Sequence, residues 1–174
     1  MKNIVILGTS HPIQKDDIHG DCLRVLIKSL IKTHGIKAIA EEIDDTCQSI
    51  AQGICQELGL GYINIEPTSQ EKKVLGIDEP GRIGMEIVMR DVPPGIVSNF
   101  FTTEQKVELH SRTQETYLVR EAEWFKRIKE FDIWPVLVIC GAVHYEPFAD
   151  LMSNSDLQLE KAGMYILSSQ GLHP

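Results

Sequence analysis

Val136-Leu137-Val138-Ile139-Cys140-Gly141-Ala142-Val143-His144 decides how this chain is read. Five apolar residues run without a polar break and end in Gly-x-x-His. The same arrangement opens the chain, where Ile4-Val5-Ile6-Leu7 runs into Gly8-Thr9-Ser10-His11. A third apolar run, Ile36 to Ala40, ends in Glu41-Glu42. Continuous Val/Ile-rich runs of this length read as strands buried on both faces of a parallel sheet. Ligands of open α/β sheets sit beyond the carboxyl ends of the strands. Three strands are thus expected to carry His11, a glutamate and His144 to one edge.

Between these runs the pattern is helical. Leu23, Leu26, Ile27, Leu30 and Ile31 form a stripe over about Asp21 to His34. A second helix is expected from about Asp45 to Leu58, with Ile50, Ile54 and Leu58 one turn apart. Tyr62 to Ile65 reads as the third strand and Pro135 to Cys140 as the fourth. Residues 10–20 read as a loop. The stretch from Glu66 to Asn99 is dense in Pro and Gly and shows only a short helix, about Arg82 to Met89. Thr103 to Phe131 reads as a long helical region with a break near Ser111; its apolar face is expected to hold Leu118, Ala122, Phe125 and Ile128. A short helix from Glu146 to Met152 and a last strand from Met164 to Leu167 complete the reading. Strands alternating with helices give an α/β fold, one domain over residues 1–174, with a mostly parallel central sheet flanked by helices.

Composition narrows the partners. The 174 residues are 43% hydrophobic and 24% charged, with a net charge of −8, ordinary for a globular domain and without a basic nucleic-acid footprint. No apolar stretch is long enough to span a bilayer, and no secretory leader is expected. The four cysteines, Cys22, Cys47, Cys55 and Cys140, form no C-x-x-C pair, and Cys47 and Cys55 read as reduced core residues. The expected setting is cytoplasmic, the partner a small-molecule or peptide substrate, with neither nucleic acid nor membrane involved; a homo-oligomer stays open.

The chemistry-bearing residues are few. His11 and His144 are suited to proton transfer or to metal ligation. Glu41 and Glu42 point to opposite faces while both remain in the strand, so one joins the histidines; Glu42, nearer the carboxyl end, is the expected one. Arg120 and Glu121 lie at the border of the long helix's apolar face, where an arginine can stabilise an anionic intermediate. Other signatures fail. There is no G-x-G-x-x-G, no phosphate-loop lysine and no G-x-S-x-G elbow, and His144-Tyr145-Glu146 lacks the P-C-x-x-C of zinc deaminases.

Ile6–His11 (ILGTSH), Ala38–Asp44 (AIAEEID), Val119–Ile128 (VREAEWFKRI) and Val136–Met152 (VLVICGAVHYEPFADLM), in that order, resemble the TraB/Tiki superfamily, which also takes in erythromycin esterases and the ChaN haem-binding proteins. The resemblance rests on Gly8 and His11, on Glu42 with Glu41 beside it, on Arg120, and on Gly141 and His144. It implies a hydrolase, metal-dependent by analogy with the Tiki proteases, acting on a peptide, amide or ester bond. On that reading His11, Glu42 and His144 hold a divalent metal ion or form an acid–base set. Arg120 steadies an oxyanion, and Glu121 or Glu41 acts as orienting group or general base. The ChaN likeness implies the alternative, a non-catalytic protein holding haem or another small ligand. Thr9 stands after Gly8 where the esterases carry glutamate, so macrolide hydrolysis is not implied.

Overall fold

Five parallel strands, in the order β3-β2-β4-β1-β5, form the central sheet of a computed structural model describing residues 2–15, 20–44, 48–91, 101–165, 167–168 and 171–172. The strands are β1 (Asn3–Thr9), β2 (Ala38–Glu41), β3 (Gly61–Asn64), β4 (Val136–Gly141) and β5 (Gln158–Met164). In register, Ile4 to Thr9 pair with Val136 to Gly141, and Ala38 to Glu41 with Val136 to Ile139. β4 therefore lies between β1 and β2, and the three share a carboxyl edge. This is the α/β fold with a parallel sheet that the apolar runs imply. A small antiparallel pair, β6 (Leu167–Ser168) and β7 (Gly171–Leu172), follows.

The pleat divides the apolar residues between two layers. Ile4, Ile6, Val136, Val138 and Cys140 face one side, where they meet Trp124 and Ile128 of α6 (Thr103–Phe131) and Phe148, Ala149 and Met152 of α7 (Tyr145–Ser153). Val5, Leu7, Leu137 and Ile139 face the other, against Leu23 and Ile27 of α2 (Gly20–His34) and Ile50, Ala51 and Ile54 of α3 (Ile50–Leu58). Both faces of the central strands are buried, which is why their sequences lack alternation.

The chain divides into two compact units. The first, Met1–Glu66 with Glu123–Pro174, holds the sheet and both layers. The second, Pro67–Ala122, contains α4 (Ser69–Leu75), α5 (Pro80–Asp91) and the larger part of α6. Within it Arg90 bonds both carboxylate oxygens of Glu108, at 2.9 and 2.8 Å, and Arg112 pairs with Glu86 at 3.0 Å. These pairs are solvated and contribute little to stability.

Several sequence readings change. Residues 11–14 are not loop but a four-residue helix, α1 (His11–Gln14), entered through Ser10 with Pro12 in its first turn, where a missing N–H costs nothing. α3 begins at Ile50, where Ser49 caps it by accepting from the Gln52 N–H at 3.0 Å; the start expected at Asp45 lies outside the described residues. α6 runs unbroken through Ser111. Leu118 and Ala122 are exposed on it, whereas Trp124 and Ile128 carry the buried stripe. The last long strand starts at Gln158, well before Met164; as an edge strand it keeps polar residues such as Glu160 and Lys161 on show and lacks an apolar signature. Cys55 is buried and reduced as expected, and Cys47 lies outside the described residues. Among the described residues no helix is long and apolar enough to cross a membrane.

Candidate functional site

The chain leaves β1 and β2 toward α2 and α3 on one face, and leaves β4 toward α7 on the other. Adjacent strand ends whose connections depart to opposite sides open a crevice between them, the usual ligand position in such sheets. His11, Glu42 and Gly141-Ala142-Val143-His144 all follow those three ends.

Glu42 is the centre of the arrangement. Its backbone N–H extends the β2–β4 ladder by donating to the Ile139 carbonyl at 2.8 Å, and its side chain reaches over the end of β4. There Oε2 accepts the Gly141 N–H at 2.6 Å, while Oε1 stands 3.1 Å from His11 Nε2. Its backbone carbonyl accepts the Gln14 side-chain amide at 3.1 Å. Both ends of α1 are thus tied to residue 42, and the imidazole is held by position rather than by chance. The Glu42 side chain is 3% exposed and that of His11 36%, so one partner is enclosed and the other reaches the surface. The hydrogen bond to Glu42 holds the His11 pKa above its ordinary value, against burial, which lowers it.

Glu41 takes the opposite face. Its Oε2 accepts the Ser49 hydroxyl at 2.5 Å and the Tyr62 hydroxyl at 2.8 Å. Burial pushes its pKa up to about 7, against these two hydrogen bonds. The alternation of the strand therefore resolves the carboxylate pair: Glu42 meets His11 and Glu41 does not.

His144 ends a single turn of 3-10 helix (Ala142–His144) and is buried. Its ring stands edge-on to Trp124 with centroids 4.8 Å apart, and the Trp124 indole N–H donates to Glu66 Oε2 at 3.0 Å. Glu42 and His144 flank the same glycine: a Cβ built on Gly141 would lie 3.1 Å from Glu42 Oε2 and 3.7 Å from His144 Cδ2. Arg120 and Glu121 belong to the second unit.

Among the described residues no three His, Cys, Asp or Glu side chains are gathered as a metal ion requires.

Sequence reasoning missed Ser49, Tyr62, Gln14 and the Gly141 N–H. Ser49 had a signal, because Ser49-x-x-Gln52 is a helix-start pattern. Gly141 was marked only as the glycine of the second Gly-x-x-His. Tyr62 and Gln14 had no signal, since their partners are set by the strand order. Comparisons of the whole chain with protein-family models, curated proteins and solved structures find no match.

Proposed function

We propose that the chain is a hydrolase of ester or amide bonds in which His11 and Glu42 form the acid–base pair. The observation that carries this reading is the His11–Glu42 contact at 3.1 Å, with Glu42 anchored on the Gly141 N–H. A carboxylate that fixes one ring nitrogen sets the tautomer and orientation of the imidazole and stabilises the imidazolium. With Nε2 turned to Glu42, Nδ1 serves the substrate. The oxygen of a water attacks the carbonyl carbon while its proton passes to His11 Nδ1. The bond to the leaving oxygen or nitrogen then breaks, and that atom takes the proton back from the imidazolium. The Glu42 hydrogen bond, which holds the His11 pKa above its ordinary value, is what a carboxylate that stabilises the imidazolium produces.

Turnover of nitrophenyl esters and short peptide amides by the purified, chelator-treated chain tests this. Hydrolysis that persists in chelator, and falls about 100-fold or more in His11→Ala and Glu42→Gln, is the expected result. Activity lost in chelator and restored by zinc or manganese would instead make His11 and Glu42 metal ligands, as the family resemblance implies. No hydrolysis, with a Soret band on adding haem, would give the ligand-binding alternative.

A further inference from the structure

We propose that Gln14 is a positioning residue for the His11–Glu42 pair, its side-chain amide fixing the rotation of α1 and with it the aim of the His11 ring. Its effect on turnover rests on the hydrolase reading; its effect on the ring does not. Gln14 is fully buried, and its amide nitrogen donates to the Glu42 backbone carbonyl at 3.1 Å. His11 precedes it by three residues in the same helix, so both side chains leave one face of α1. That face meets residue 42 at two points, His11 at the carboxylate and Gln14 at the backbone carbonyl.

Residue 42 is a firm reference. Its N–H is bonded to the Ile139 carbonyl and its Oε2 to the Gly141 N–H, both on β4. α1 has no such firmness of its own. Its four residues make a single turn, too short to persist without tertiary contacts. Ser10, its cap residue, contributes no side-chain hydrogen bond. Ile13 is buried against the α2/α3 layer, but apolar packing is non-directional and holds the turn down without setting its rotation. The Lys15–Asp44 pair, 3.5 Å apart with Asp44 exposed, is solvated and weak. The Gln14 hydrogen bond is both buried and directional. It passes the fixed position of residue 42 to the backbone of His11, and the 3.1 Å contact with Glu42 Oε1 follows.

Gln14→Met keeps the length and removes the donor; Gln14→Asn keeps the amide and draws it short of the carbonyl. With nitrophenyl esters either variant should lower kcat about tenfold or more and leave KM within about twofold, as misplacement of a reacting group does. Ile13→Val loosens the packing of the same turn and should leave kcat unchanged. The ring is read separately, from histidine nitrogen shifts at about pH 9, where imidazole is neutral. The native chain should hold its proton on Nε2, toward Glu42, and the Gln14 variants should show a mixture of tautomers. A native kcat in either folded Gln14 variant, or an equal loss in Ile13→Val, overturns the assignment. If the native chain turns over no ester, the hydrolase reading falls and the tautomer alone decides: a mixture in the variants upholds the positioning role, and an unchanged ring overturns it.

Discussion

Gly141 gives Glu42 a hydrogen bond and also leaves it the room to accept one. The peptide N–H reaches Oε2 at 2.6 Å, and an added methyl would stand 3.1 Å from that same oxygen. That is tighter than ordinary contact, so the carboxylate must shift, and the His11 ring that it orients shifts with it. Gly141→Ala should lower kcat about tenfold or more, as displacement of an orienting group does. The backbone there, φ −58° and ψ 143°, is open to alanine, so the denaturation midpoint should move by less than about 1 kcal/mol. Unchanged turnover would remove Glu42 from the chemistry. At this scale the sequence was partly legible. Parity along β2 separates Glu41 from Glu42, and the two Gly-x-x-His tetrapeptides mark both strand ends. The meeting of Glu42 with His11 was expected; its anchorage on the Gly141 N–H was not legible, because it follows from the place of β4 between β1 and β2. Gly8 is a second close approach: a Cβ there would lie 2.9 Å from Met164 and 3.0 Å from the Tyr145 ring.

Elements whose neighbours are apolar on all sides announce themselves, and those held by capping or by edges do not. β1, β2 and β4 were readable from their apolar runs and α2 from its stripe, whereas α6 was read with a break near Ser111 that it does not have. β5 was displaced because an edge strand needs polarity more than it needs an apolar face. α4 passed unread although Thr68-x-x-Glu71 spells a reciprocal cap, with Thr68 N–H to Glu71 at 2.7 Å and Glu71 N–H to Thr68 at 3.3 Å. Ser49 performs two tasks at the start of α3, capping the helix and donating to Glu41. The tasks separate by substitution. Ser49→Ala loses both and should cost about 2–3 kcal/mol in a urea titration, one part cap and one part unpaired carboxylate. Ser49→Gly is nearly as good a cap, so its cost beyond a few tenths of a kcal/mol reports the Glu41 contact. A Gly variant as stable as the native chain would mean that this contact contributes nothing.

For the molecule as a whole, the buried acid sets how stability follows pH. Glu41 binds its proton more tightly folded, with a pKa of about 7 against an ordinary 4.5. Its contribution is therefore complete below about pH 4.5 and is lost as pH rises to about 7, on the order of 3 kcal/mol for an isolated site. His11, also raised, acts in the same sense, its share fading as pH climbs past its folded pKa. Unfolding free energy measured from pH 4.5 to 8 should decline with pH, and Glu41→Gln should flatten the decline. An equal slope in the variant would place the titration elsewhere. Strand order carries one more consequence, which concerns synthesis. β1 leaves the ribosome well ahead of both its neighbours, β4 and β5, which are encoded far downstream of it. At about 5–20 residues per second, roughly 7–26 seconds separate Thr9 from Gly141. Throughout that interval the most apolar strand at the amino end has two open edges, a template for other chains. A strand made well before its neighbours is thus enclosed late, and crowded translation, rather than heat, is the condition under which this fold is most exposed to aggregation.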